Sequence, residues 1–323
     1  MAYGGQQVEL CGGAVLYEKT PAGVAVISLN EPDNMNAWSN PIANGLFDGY
    51  DKACIDPDVK VIVVTGNGRA FCAGANLRGR GGPLSSLARG VSPEKDAELD
   101  VGICNDEKGR PFNYGFYVPK PIIAAINGAC AGMGLTQALA CDIRFASDQA
   151  KFSTSFVRRG LTAEGGISWT LPRIIGLGNA MDILLSGRTF DGAEAKQLGI
   201  VQKTYSGDML IHEVMKYATD MAINCPVSSM AVIKQQLLAH QMTDQETAVQ
   251  ESNRLLLAGG AKDNPDAREG ISSFVQKRQP KFGPLDSESQ LQKVKETLFQ
   301  HKLRFANLVA GLKASMQKVS SKL

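Results

Sequence analysis

The feature that most restricts the fold is a recurring unit: an apolar run of strand length, closed by a Gly/Ala turn and leading towards a helical pattern. Val61-Ile62-Val63-Val64-Thr65 precedes Phe71-Cys72-Ala73-Gly74-Ala75-Asn76-Leu77. Pro121-Ile122-Ile123-Ala124-Ala125-Ile126 precedes Asn127-Gly128-Ala129-Cys130-Ala131-Gly132-Met133-Gly134. Small residues at a strand-to-helix turn let backbone N–H groups approach a ligand closely, and two such turns can aim two donors at one oxygen.

Around these units the alternation continues. Strand-like runs occupy residues 14–17, 24–29, 59–65, 122–126 and 143–146, with helical patterns at 41–54 and 134–140. Repeated strand, strand, helix units predict an α/β domain of stacked turns. Beyond residue 165 the pattern turns helical, at 167–175, 179–185, 192–198, 211–224, 227–241 and 245–257, with Asp208 and Pro226 as start signals. Residues 78–118 form an insertion rich in Gly, Arg, Ser and charge, expected to be a lid or binding loop, or else partly disordered. A last amphipathic pattern, at Leu291, Val294, Leu298, Phe305, Leu308, Leu312 and Met316, predicts a tail helix interrupted at Gly311. The expected divisions are therefore a core at 1–207 carrying the insertion, a helical region at 208–283 and a tail at 284–323.

With 34 basic and 32 acidic residues, the net charge of +2 advertises no nucleic-acid surface. The seven cysteines form no Cys-x-x-Cys pair, which points to a reducing compartment without a disulfide framework or a zinc site. No secretory pattern and no apolar stretch of bilayer-spanning length is present. The final Ser321-Lys322-Leu323 matches the tripeptide read by the peroxisomal import receptor, so a peroxisome, glyoxysome or glycosome is the expected location.

A Ser or Cys nucleophile normally needs a neighbouring base, yet His212, His240 and His301 all fall in the late helical region. No phosphate loop is present, and Gly176-Leu177-Gly178-Asn179 stops short of a dinucleotide fingerprint. Nucleotide hydrolysis and Rossmann-type redox chemistry thus lack sequence support.

Several stretches, in order, resemble the crotonase (enoyl-CoA hydratase/isomerase) superfamily. They are residues 71–77, 127–142, the Gly160-Leu161-Thr162-Ala163-Glu164-Gly165-Gly166 turn, Leu171-Pro172-Arg173-Ile174-Ile175-Gly176, and Leu184-Leu185-Ser186-Gly187-Arg188 with Ala193, Lys196, Gly199, Ile200 and Val201. The resemblance implies a superhelix of repeated ββα turns, a helical C-terminal region that makes trimers or dimers of trimers, and an acyl-CoA substrate. It implies no metal and no separate cofactor, since CoA arrives with the substrate. By position, the N–H groups of Ala75 and Met133 correspond to the family's oxyanion hole, with Ala73, Gly74, Asn76, Leu77, Gly132 and Phe156 around the substrate. Arg78, Arg80 and Lys281 are candidates for contact with CoA phosphates, with solvated loop cations as the alternative.

The positions of the two hydratase glutamates are held here by Thr136 and Phe156, neither of which transfers protons. Glu164 stands instead where peroxisomal-type Δ3,Δ2-enoyl-CoA isomerases carry their single carboxylate. The resemblance therefore implies a C2-to-C4 proton shuttle by Glu164, with hydration of trans-2-enoyl-CoA or a catalytically inactive acyl-CoA-binding role as alternatives. A wall of Phe156, Ile167 and Trp169 is expected to raise the Glu164 pKa. Taken alone, Glu164 reads as a solvated acid in the first turn of a helix or as a partner for Arg158 or Arg159.

Overall fold

The computed structural model describes residues 3–76, 106, 108–258 and 264–284. Leu77, Arg78, Arg80, most of the 78–118 insertion, the tail from 285 onward and its Ser321-Lys322-Leu323 terminus lie outside them.

Three strands open the chain: β1 (Gln7–Leu10), β2 (Val15–Lys19) and β3 (Val24–Leu29), paired antiparallel. Helix α1 (Asn40–Ile55) follows, its start fixed by the Ser39 side chain accepting from Ile42 N–H and by Pro41 in the first turn. The repeating part then runs β4 (Val61–Gly66), β5 (Ala70–Cys72), β6 (Ile122–Ile126), β7 (Ala129–Ala131), α2 (Met133–Leu139), β8 (Ile143–Ser147) and β9 (Lys151–Ser153). Next come α3 (Ile167–Ile175), α4 (Leu177–Ser186), β10 (Thr189–Asp191), α5 (Gly192–Gln197) and β11 (Lys203–Tyr205). The chain continues into α6 (Gly207–Asn224), α7 (Val227–His240), α8 (Gln245–Ala258) and α9 (Pro265–Gln276).

Each repeat contributes one long strand and one short strand, and the two go to different sheets. The long strands build a seven-stranded sheet of order β1-β2-β3-β4-β6-β8-β11, parallel from β3 onward. The short strands β5, β7 and β9 lie parallel in a second, four-stranded sheet of order β10-β9-β7-β5. The stacking carries the three segments that leave β5, β7 and β9 to one place. Ligands bind in α/β folds beyond the carboxyl ends of parallel strands, and the candidate site lies there.

The apolar runs are continuous because the long strands are covered on both sides. On one face Ala25, Ile27, Ile62, Val64, Ile122 and Ala124 pack with α1 and α2 in the main core. On the other, Val24, Val26, Val61, Val63, Ile123 and Ala125 receive Leu210, Val214, Ala218 and Ala222 of α6, spaced four apart along one helical face. Helix α6 begins after Ser206, so Asp208 sits inside its first turn rather than ahead of it. Helix α9 has no counterpart in the sequence reading. Its apolar content is low, and Asn264 fixes its start by accepting from Asp266 and Ala267 N–H.

A polar cluster ties residues 106–114 to α1. Arg110 contacts Asp51 at 2.6 Å and Asp48 at 2.8 Å, its Nε donates to Asp106 at 2.7 Å, and Tyr114 donates to Asp51 at 2.6 Å. Its guanidinium also lies over the Phe47 ring. Helix α7 is held by Lys234, whose Nζ donates to Asp142 at 2.8 Å and to Gly115 O at 3.0 Å. Among the described residues no helix is long and apolar enough to cross a membrane.

Candidate active site

The turn after β5 is shaped by Gly74, with φ 99° and an absent Cβ that would stand 3.0 Å from Ala131 O. A side chain there would clash and strain the backbone. Trp38 N–H donates to Gly74 O at 2.7 Å, and Asn76 N–H donates to Trp38 O at 2.9 Å. This bridge uses the groups on either side of Ala75 and leaves the Ala75 N–H outside the ladder.

The turn after β7 also rests on a glycine at positive φ. Gly132, at φ 49° and ψ −119°, caps α2, and its absent Cβ would stand 3.8 Å from Gly74 Cα. Met133 is the first residue of α2, so its N–H has no carbonyl one turn earlier to receive it. Two N–H groups without a partner among the described residues therefore leave adjacent turns of one small sheet. This is the local arrangement that can hold an oxyanion.

A cleft of about 100 Å3 opens there, lined by Ala73, Gly74, Ala75, Gly132 and Met133 together with Thr154, Ser155, Phe156, Arg159, Leu161 and Glu164. Of the residues marked in the sequence, Asn76 is not among the lining residues, and its N–H donates to Trp38 O. Thr154, Ser155, Arg159 and Leu161 were not anticipated. They follow β9, a three-residue strand too short to leave a periodic signature.

Glu164 lies in the loop before α3 and lines the cleft with Gly132 and Met133, and a Cβ on its neighbour Gly165 would meet Thr136 Cγ2 of α2 at 2.7 Å. The carboxylate is half-buried and has no hydrogen-bond or ion-pair partner among the described residues. Burial pushes its pKa above the ordinary glutamate value. The ion pair with Arg158 or Arg159 is absent, since Arg158 Nε donates to Ser186 O and Arg159 Nη1 to Ser155 O, each at 3.0 Å.

The apolar wall differs from expectation in one member. Phe156 lines the cleft and Ile167 is buried in the core. Trp169 is 36% exposed, carries Arg173 against its ring at 4.0 Å and lines a separate groove beside α7. It is two residues from Ile167, which on a helix turns it to a different face.

Thiol chemistry finds no support beside the cleft. Burial pushes the Cys72 thiol up to about 12, so it stays protonated. No group of three or more metal-ligating side chains occurs among the described residues.

Residues 19–284 match the family model of enoyl-CoA hydratase/isomerase. The chain is 30% identical over 262 residues to a 1,2-epoxyphenylacetyl-CoA isomerase from Escherichia coli strain K12, covering 80% of this chain and 95% of that protein. An enoyl-CoA hydratase from Bacillus anthracis superposes with a TM-score of 0.73 at 26% identity, covering 84% of this chain and 99% of that one. The enoyl-CoA hydratase EchA12_1 from Mycobacterium marinum is 46% identical, with a TM-score of 0.57 over 69% of this chain and 96% of that chain. The matches run along nearly the whole length of these relatives, and the chain belongs to the enoyl-CoA hydratase/isomerase family of crotonase-fold enzymes.

Proposed function

We propose that the chain is a Δ3,Δ2-enoyl-CoA isomerase with Glu164 as its one proton carrier. The observation that carries this reading is a half-buried carboxylate, the one acid lining the cleft among the described residues and unpaired among them, in the same cleft as the Ala75 and Met133 N–H groups. Thr136 and Phe156 leave no second acid, which hydration with two glutamates would require.

In this mechanism the substrate thioester oxygen accepts from the Ala75 and Met133 N–H groups. The Glu164 carboxylate takes a proton from C2, and the electron pair passes into the dienolate held by the two donors. The protonated carboxyl then gives that proton to C4, while the double bond forms between C2 and C3. Fixed dipoles hold the charge without reorganisation, and each donor is worth about 3 to 4 kcal/mol. The burial that raises the Glu164 pKa makes its carboxylate a stronger base toward the C2 proton. The reaction consumes no cofactor.

The test compares 3-enoyl-CoA and trans-2-enoyl-CoA as substrates of the wild type and of Glu164→Gln. Isomerisation of the first, lost in the variant, is the expected result. Hydration of the second without isomerisation would replace the proposal with a hydratase, and binding without turnover of either would leave an acyl-CoA-binding protein.

The same reading extends to self-association and location. Exposed Ile233 and Leu237 on α7 and Phe274 and Val275 on α9 supply apolar surface of the kind that homo-oligomers bury, which supports a trimer or a dimer of trimers. Import through Ser321, Lys322 and Leu323 completes the proposal, and deleting these three residues should abolish import.

A further inference from the structure

Arg159 is the basic side chain among the residues lining the Glu164 cleft, and the proton shuttle gives it no task. It has no acidic partner among the described residues. Its Nη1 donates to Ser155 O at 3.0 Å, which leaves most of the guanidinium fork unused. The adjacent Arg158 differs: its Nε is bound to Ser186 O, and it stands outside the cleft.

The anchor of Arg159 is fixed by the backbone. Phe156 N–H donates to Thr154 O at 2.7 Å across a three-residue turn, with Ser155 at φ 60°. A non-glycine residue at positive φ persists where its surroundings hold it, and such turns cluster at ligand sites. The Ser155 carbonyl is therefore presented to Arg159 by a constrained turn.

Placement along the substrate follows from the chemistry. The Ala73-Gly74-Ala75 turn leaves β5 on one side of the cleft, while Phe156, Arg159, Leu161 and Glu164 come from the segment between β9 and α3. The carbons that Glu164 addresses lie on the acyl side of the thioester, so the segment that carries Glu164 borders the acyl chain. Phe156 and Leu161 suit the methylenes of such a chain. A guanidinium beside them gains nothing from more methylenes, but pairs in two-point fashion with a carboxylate.

We infer that Arg159 selects acyl-CoA substrates whose acyl chain bears a carboxylate beyond the reacting carbons. The orientation of the chain rests on the isomerase reading. The partition of the cleft is then Glu164 for the proton and Arg159 for the far end of the substrate.

Binding of saturated six-carbon acyl-CoAs separates this inference from that reading, because such ligands cannot react. Calorimetry would compare a methyl-ended chain, its carboxylate-ended counterpart and free CoA on the wild type, Arg159→Met and Arg159→Lys. The wild type should prefer the carboxylate-ended ligand. Arg159→Met should lower that preference by about 10- to 100-fold, the range of a charge-assisted hydrogen bond. Arg159→Lys should retain part of it, since the charge remains and the fork is lost. An equal preference in wild type and Arg159→Met would overturn the inference, as would an equal loss of affinity for free CoA, which would move Arg159 to the CoA phosphates. Absence of isomerase turnover in wild type, with the preference intact, would overturn only the reaction assigned to Glu164.

Discussion

Arg110 and Glu164 are both ionisable side chains drawn partly out of water, and their surroundings are opposite. Arg110 has three carboxylates, Asp48, Asp51 and Asp106, within ion-pair distance, and Tyr114 donates to one of them. Glu164 is half-buried and has no partner among the described residues. A buried charge that is fully paired holds two segments together and does nothing else, because any change of protonation would break its contacts. A sheltered charge without partners is held at an energetic disadvantage that a substrate can relieve. The contrast separates a fastening from a working group using the same kinds of side chain.

The largest effect that can test this contrast is on activity. Glu164→Gln keeps the shape and removes the base, and kcat/KM for 3-enoyl-CoA should fall by about 100- to 10,000-fold, read in a steady-state isomerase assay. Arg110→Met should act instead on stability. It leaves the solvent-shielded Asp106 without its cation, at a loss of about 3 to 5 kcal/mol in urea unfolding, while the folded fraction stays active. If Arg110→Met abolished activity in a protein of undiminished stability, the distinction would fail.

The pH dependence is subtler and has a definite sign. Burial raises the folded-state pKa of Glu164, so its neutral form is favoured by folding. That contribution is present at pH below the unfolded-state pKa and is lost as pH rises through the folded-state pKa. Glu164→Gln should therefore melt no lower than wild type near neutral pH, with the gap closing in acid. Over the same range the kcat/KM of the wild type should decline as pH falls through the raised pKa, because the shuttle begins from the carboxylate. A Glu164→Gln protein that melts below wild type at neutral pH would mean that the carboxylate has a stabilising partner. The smallest effect is expected at Lys108, 61% exposed and paired with Asp48 at the rim of the Arg110 cluster. Lys108→Ala should cost less than about 1 kcal/mol, because water already screens that pair.

Much of the fold is legible in the residues. The runs at 24–29 and 122–126 become β3 and β6 with unchanged limits, and 167–175 becomes α3. These segments are apolar on every face or carry a helical stripe, so their period survives without context. Strands β5, β7 and β9 have three residues each, too few to establish a period. Their pairing joins residues distant in sequence, and it is this pairing that brings Ala75, Met133 and Phe156 together. The residues at 73–75, 132–133 and 164 were legible through their Gly/Ala turns and the family pattern. Arg159 and Leu161 were not, since a single short turn carries no mark of which way its side chains face.

The sequence by itself determined the long strands, the helices with strong periodicity and the two Gly/Ala turns, because backbone permissiveness and hydrophobic period are local properties. It also determined that Thr136 and Phe156 cannot serve as acids. Only the tertiary structure decided that the Ala75 N–H is spared by the Trp38 bridge, that Glu164 is sheltered without an ion pair while Arg158 and Arg159 turn to carbonyls, and that Trp169 faces another groove. Those outcomes depend on which hydrogen-bonding groups are left over after distant segments have packed, and on how much water remains around a charge.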